Sequence, residues 1–423
     1  MRIGVIRHAF SSMDGGSHYE TVFLDALSEL QPRLPAELVF LVKPDSDLYA
    51  LAAGGNLNYR GVPIQALRGP QLQQSPPEAF LSNPPPAVIP KIDPNAFYFD
   101  RDDAQACRKA RIDLLVQLGP LAPPFASLTP FIMPIYDLNH RLQPDFPELK
   151  TQIPWREYLY TNACRYATFV LVDSKEGKED VLQLYGHVID EDRIRILPYY
   201  PPVRERPIPG PEERARVAAK YRLPERYFFY PAQFWRHKNH ILILQAVKKI
   251  AETSGERVPI VFCGGYSDYF RAQNFNQVRA AVVELGLTDR ILYFGVVPDE
   301  DMPSLYALSA GLVMPTFFGP TNLPPLEAWH YGRPVITSDI RGLREQAGDG
   351  ALLVNPNSAS DLADAMLRLW RDPALAQRLS ENGQRILSSY SWSAFVESVS
   401  SIIVEACERV RDGRTPRFPK VDI

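Results

Sequence analysis

Two stretches of the chain gather residue types that bind anions. In YPAQFWRHKNH, Tyr230 to His240, the cations Arg236 and Lys238 stand where a helix follows a strand. Positive charge at a helix N-terminus opposes the helix dipole, so some other gain must offset that cost. A bound diphosphate would supply it; a solvated charge pair in a loop is the plainer alternative. In FFGPTNLPPLEAWHYGRPVI, Phe317 to Ile336, Gly319 permits close backbone approach, and Pro324 and Pro325 suit the first turn of a helix. Gly332 and Pro334 keep that helix short. The amides of Thr321 to Leu323, near its start, form a site for phosphate or for sugar hydroxyls. Glu327 reads two ways: a first-turn carboxylate complementing the dipole, or an acceptor for the vicinal hydroxyls of a ribose.

These segments need a frame that brings strand ends together. The first half alternates candidate strands (Ile3 to Ile6, Leu38 to Val42, Ile112 to Gln117, Phe131 to Tyr136, Phe169 to Val172, Ile194 to Leu197) with helical patterns. One such helix carries Val22, Phe23, Ala26, Leu27 and Leu30 on a single face. Strands expected in the second half are Tyr227 to Tyr230, Ile260 to Cys263, Ile291 to Phe294, Gly311 to Met314, Val335 to Thr337 and Leu352 to Val354, again with helices between them. Alternating strand and helix predicts parallel sheets in an α/β fold. The proline cluster from Pro198 to Pro211 marks a linker between two doubly wound domains. The expected domains are residues 1–203, with a helix at about 398–423 packing back on them, and 204–397. A second proline-crowded stretch, Arg68 to Phe97, reads as a surface insertion or as a loop bordering the acceptor side of the cleft.

Composition narrows the function. The chain has 423 residues, 45% hydrophobic and 22% charged, which suits a two-domain globular protein. A net charge of −3 gives no global attraction to nucleic acid. No stretch reaches the roughly 20 apolar residues of a membrane span, and the N-terminal apolar run is too brief for a signal peptide, so a cytoplasmic location is expected. Cys107, Cys164, Cys263 and Cys407 lie too far apart for a zinc site or a disulfide framework and read as packing residues. Asp45 and Asp47 form a tempting Asp-x-Asp metal pair, but Pro44 places them in a turn, where acidic residues are common; no metal site is read.

Together with DIRGLREQAGDGALLVNPNSASDLADAM (Asp339 to Met366), DGGSHYE (Asp14 to Glu20), IYDLNH (Ile135 to His140) and VDSKEGKEDVLQLYG (Val172 to Gly186), the two segments resemble the retaining family 4 glycosyltransferases, glycosyl transferases group 1. The resemblance extends over most of the chain. It implies a GT-B fold: two Rossmann-like doubly wound domains facing each other across a cleft, with C-terminal helices crossing back. It also implies metal-independent, retaining transfer of a hexose-type sugar from a nucleoside-diphosphate sugar to a glycan or lipid-linked glycan. The nucleotide sugar is then a substrate and no cofactor is expected; such acceptors leave room for peripheral attachment at the inner face of the membrane.

The same resemblance distributes roles. Lys238 would bind the donor diphosphate, with Arg236 as second cation, and Glu327 would hold the ribose. Gly319, Pro320, Thr321, Asn322 and Leu323 would wrap the donor sugar, while Gly15 and Gly16 let an N-domain loop approach it. Asp137 and His140 would be catalytic residues on the acceptor side, His140 standing in for the family's histidine. Three positions depart from the family pattern. Gly319 replaces a frequent glutamate, Tyr136 a histidine, and Gln233 stands near the place of an arginine. A noncatalytic nucleotide-sugar binding protein and a nucleotide-sugar epimerase are the rival readings. An oxidoreductase is disfavoured, because no G-x-G-x-x-G follows either opening strand.

Overall fold

The computed structural model describes residues 1–7, 15–42, 57–66, 89, 91–120, 123–201, 203 and 206–421. Asp14, Asp45, Asp47 and most of the 68–97 stretch lie outside them, as do positions 202, 204 and 205 of the linker. The chain forms two compact units: Met1–Leu142, Thr151–Tyr200 and Ser391–Ile423 make one, Gln143–Lys150 and Pro201–Tyr390 the other. The C-terminal crossover falls earlier than the expected residue 398 for a local reason. Ser391 starts the helix Trp392–Arg411 by accepting the amide of Ala394, and the Tyr200 ring lies 5.2 Å from that of Trp392 and 6.0 Å from that of Phe395. Gln143–Lys150, which the sequence placed in the N-terminal domain, belongs to the second unit.

The first unit holds β1 (Arg2–Ile6), β2 (Glu37–Val42), β3 (Asn58–Tyr59), β4 (Val62–Ala66), β5 (Leu114–Gln117), β6 (Phe131–Pro134), β7 (Phe169–Val172) and β8 (Ile194–Ile196). Their order is β3-β4-β2-β1-β5-β6-β7-β8, and every pair is parallel except β3 with β4. Central strands such as Leu114–Gln117 and Phe169–Val172 are buried throughout, as helices on both faces of a parallel sheet require. Gly4 has a packing reason, since a Cβ there would lie 2.6 Å from Leu41 Cδ1. The apolar face of the helix Gly15–Leu30 packs as its spacing predicts, with Val22, Phe23, Ala26, Leu27 and Leu30 buried. The helix Trp392–Arg411 lies against it, Trp392 Nε1 donating to Glu29 Oε2 at 2.8 Å. The pairing of β3 with β4 was not expected, because a two-residue strand shows no periodicity.

The second unit holds β9 (Phe228–Pro231), β10 (Ile260–Cys263), β11 (Ile291–Tyr293), β12 (Gly311–Met314), β13 (Val335–Ser338) and β14 (Ala351–Val354), all parallel, in the order β11-β10-β9-β12-β13-β14. The chain builds outward from β9 in one direction, then returns to build outward from its other side. None of the described helices is long and apolar enough to cross a membrane. All four cysteines are free and buried, and burial pushes the Cys107 thiol up to about 11.

The short helix Leu323–His330 is locked in place by Trp329, which is fully buried and donates Nε1 to the Gly350 carbonyl at 3.1 Å. Its ring lies against Gly383 of the helix Pro373–Ser388, where a Cβ would come within 2.0 Å of the ring carbon Cδ1. Alanine ordinarily favours a helix interior over glycine by about 1 kcal/mol. Overpacking a tight contact costs about 1–3 kcal/mol, which here exceeds the helix gain. Gly383→Ala is therefore expected to lower the thermal unfolding midpoint; a raised midpoint would mean that Trp329 yields freely.

Candidate functional site

In a doubly wound sheet the loops at the carboxyl ends of the strands flank a crevice where the winding reverses. In the second unit that point lies between β9 and β12. The loops leaving these two strands contain Gln233, Arg236 and Lys238 on one side and Gly319 to Asn322 on the other.

The β9 loop is anchored by Phe234, fully buried and stacked on His240 at 4.3 Å between ring centroids. Gln233 Oε1 accepts from Trp235 Nε1 at 2.8 Å, so this side chain is committed to shaping the loop. Arg236–Lys238 is a single 3₁₀ turn, closed by the Lys238 amide donating to the Trp235 carbonyl at 3.0 Å. The Lys238 carbonyl accepts from Tyr230 Oη at 2.8 Å. Asn239 then turns left-handed (φ 60°) and sends its side-chain amide to the carbonyls of Pro315 (2.9 Å) and Pro356 (2.8 Å). The His237 carbonyl accepts from the Phe317 amide (2.9 Å) and from Thr316 Oγ1 (3.2 Å), which stitches the β9 and β12 loops together. The helix His240–Ser254 that follows has no acidic residue in its first turn and no side-chain cap. Arg236, exposed, and Lys238, half-buried, thus add positive charge to the positive end of a 15-residue helix. This arrangement favours an anion.

On the β12 side, Gly319 has φ 135°, and a Cβ there would lie 2.3 Å from Asn322 Nδ2. Asn322 Nδ2 donates to the Gly319 carbonyl at 3.2 Å. The departure from glutamate at Gly319 thus follows from the loop itself, because the Asn322 side chain occupies the space a larger residue would need. Asn322 also engages Gln346: its amide donates to Gln346 Oε1 (2.9 Å), and its carbonyl accepts from Gln346 Nε2 (2.6 Å). The amide expected to meet a ligand at Asn322 is therefore occupied within the protein. Pro320 is buried, whereas Thr321 and Leu323 are half-buried.

Glu327 corrects one expectation. The helix begins at Leu323 with no acidic residue in its first turn, so Glu327 lies beyond the turn where the dipole acts. Its Oε2 accepts from the fully buried Tyr306 Oη at 2.5 Å. Burial, and then the Glu327 charge, hold the Tyr306 hydroxyl well above its ordinary value, so it remains a donor. That contact orients the carboxylate. Sequence reasoning missed Tyr306 and Gln346, which act across 21 and 24 residues, and had no signal for the two strand ends that Asn239 joins.

The remaining expected residues lie in the first unit. Gly15 and Gly16 open the helix Gly15–Leu30. Tyr136, in place of a histidine, donates to the Leu118 carbonyl at 2.7 Å. Asp137 faces Arg156, whose Nη1 and Nη2 lie 3.0 and 3.1 Å from its two oxygens, and Asp137 also accepts the Asn139 amide at 2.9 Å. Burial raises the Asp137 carboxyl, but Arg156 outweighs it and holds the group below the usual range. His140 is 1% exposed, with Nε2 at 2.7 Å from Glu157 Oε1; Tyr185 Oη donates to the same oxygen at 2.7 Å. Burial depresses the imidazole despite the pull of Glu157, and the donors around Glu157 outweigh its own burial to bring it down to about 2. Asp137 and His140 are thus built into ion-pair and core networks. Among the described residues no group of three or more His, Cys, Asp or Glu could hold a metal ion.

Residues 212–386 match the family described as glycosyl transferases group 1. The O-antigen chain mannosyltransferase B of Escherichia coli is 28% identical over 248 residues, 57% of this chain and 62% of that relative. The chain thus spans less than two thirds of the length of this curated relative. Among solved structures, sucrose-phosphate synthase from Thermosynechococcus elongatus has a TM-score of 0.69 at 18% identity, covering 96% of this chain and 99% of the other. Anabaena HepE in complex with UDP-glucose has a TM-score of 0.65 at 16% identity, covering 96% and 99%. The shared architecture is the GT-B fold, two Rossmann-like parallel-sheet domains.

The ion pair in the first unit has a testable signature. Because the folded Asp137 carboxyl is depressed, its contribution is present above its unfolded value of about 3.9 and is lost as pH falls through the folded value. Asp137→Asn is expected to cost about 1.5–3 kcal/mol at pH 7, the range for hydrogen bonds to charged groups, with the deficit shrinking toward pH 3. Thermal melts of both proteins across that range would check it; a pH-independent deficit would argue against the pair.

Proposed function

Residues 212–386 belong to the glycosyl transferases group 1 family, and on that premise we propose that this protein transfers a hexose-type sugar from a nucleoside-diphosphate sugar to a glycan or lipid-linked glycan acceptor, with retention of configuration and without a metal ion. The observation that carries this reading is the turn Arg236–Lys238, which sets two cations at the positive end of a helix beside the loop that leads to Glu327. A diphosphate meets the cations and the helix amides, while Glu327, oriented by Tyr306, accepts from the ribose hydroxyls. The name of the Escherichia coli relative, an O-antigen chain mannosyltransferase, supports a hexose donor and a polysaccharide-type acceptor.

In the retaining route, the bond from the anomeric carbon to the leaving phosphate oxygen breaks as the acceptor oxygen bonds to the same face. The acceptor proton passes to the departing diphosphate. The chain's part is electrostatic: Lys238, Arg236 and the helix amides stabilise negative charge as it grows on the leaving group. A noncatalytic binding role is the second reading, and the Asn322 side chain filling the space beside Gly319 favours it, because a donor contact commonly made by a carboxylate is lost.

Incubation with UDP-, GDP-, ADP- and TDP-sugars, with and without a glycan acceptor, distinguishes transfer from epimerised donor or binding alone. Lys238→Ala is expected to lower kcat/KM by roughly 100-fold, about 3 kcal/mol of transition-state stabilisation, with the melting midpoint unchanged. Near-normal turnover at saturating donor would sink the assignment. Glu327→Gln is expected to weaken nucleotide binding roughly tenfold, about 1.4 kcal/mol, as calorimetry would show. Turnover is further expected to survive excess chelator; loss of activity restored by manganese or magnesium would overturn metal independence.

A further inference from the structure

The cationic turn poses an electrostatic problem that the site residues discussed so far leave unsolved. Arg236, His237 and Lys238 are consecutive and sit at the positive end of a helix whose first turn lacks a carboxylate. The charges of Arg236 and Lys238 and the positive end of the helix repel one another, and a carboxylate close to the turn offsets that repulsion.

The counter-charge comes from the segment Gln143–Lys150. Glu148, in the short helix Pro147–Lys150, is 2% exposed, and its Oε1 accepts both the main-chain amide of His237 (3.2 Å) and the imidazole Nδ1–H (3.0 Å). Phe146 backs the contact, its ring lying 6.1 Å from that of His237 and 5.6 Å from that of Phe317. His237 is consequently gripped at both main-chain groups, the amide by Glu148 and the carbonyl by Phe317 and Thr316. Burial raises the Glu148 carboxyl, but the hydrogen bonds from His237 outweigh that and hold it below the usual carboxylate range. The group is therefore ionised at neutral pH. A carboxylate on Nδ1 also fixes the tautomer and the plane of the ring.

We propose that Glu148 is the positioning residue of the diphosphate site: its buried carboxylate, through His237, holds the Arg236–Lys238 turn in its anion-binding shape before the nucleotide arrives. The role rests on the donor-binding reading given above and deepens it. A pre-set turn avoids paying reorganisation when phosphate binds or departs. Glu148 is buried against His237 and acts through it, so its loss is expected to weaken the diphosphate and leave recognition of the nucleoside intact.

That distinction gives the test. UDP, GDP, uridine and guanosine are titrated into the full-length protein and into Glu148→Gln and Glu148→Leu, with melting midpoints recorded for all three. The wild type is expected to bind at least one nucleoside diphosphate more tightly than its nucleoside. Glu148→Leu is expected to weaken the diphosphate tenfold or more with nucleoside affinity unchanged. Glu148→Gln, which keeps an acceptor for the His237 amide but not the charge, is expected to fall between; it also serves if the leucine variant does not fold. Equal diphosphate affinity in wild type and the folded variants would overturn the role of Glu148 while leaving the donor reading intact. So would a parallel loss of nucleoside and diphosphate affinity. A wild type that binds neither UDP nor GDP would overturn the donor reading for these nucleotides, and the positioning role with it.

Discussion

The side-chain amide of Asn239 donates to the Pro315 and Pro356 carbonyls, at the ends of β12 and β14, while its own backbone sits in the left-handed region at the end of the β9 loop. One residue thereby ties three strand ends of the second unit. Asparagine suits the position because it tolerates a left-handed backbone and carries two donors on a short side chain. Glycine would supply the backbone alone. The placement of Lys238, one residue earlier, and the seating of the β12 loop against the His237 carbonyl depend on this staple. Each bond contributes about 0.5–1.5 kcal/mol net, but leaving the buried carbonyls unpaired would cost more.

From that staple the two halves of the candidate site take different forms. The β9 side is a tight turn carrying positive charge, held by main-chain hydrogen bonds at nearly every residue. The β12 side is closed on itself, with Gly319, Asn322 and Gln346 interlocked and the short helix pinned by Trp329 against Gly383. Glu327 emerges from that pinned helix with one oxygen already held by Tyr306. Rigid support on both sides suits the proposed binding of a diphosphate, because fixed dipoles and charges need not reorganise around an anion. The first unit uses its polar residues otherwise: Asp137 with Arg156 and His140 with Glu157 spend their charge and hydrogen bonds on each other.

Much of this was legible in the amino-acid sequence. Apolar runs separated by helical periodicity specified parallel α/β sheets in both halves, because a strand buried on both faces is predominantly apolar. The strings around Lys238 and Glu327 marked the candidate site, because a cation at a helix N-terminus and a short helix opened by prolines are local features. Tertiary structure decided what those residues do. Whether Glu327 serves the helix dipole depended on where the helix begins; how deeply His140 is enclosed depended on Glu157 and Tyr185 packing against it. Glu148 meets His237 across 89 residues, and Asn239 meets Pro356 across 117. A linear pattern records spacing along one element, whereas these contacts join elements whose proximity arises only when the sheet order is set and side chains compete for the same buried partners.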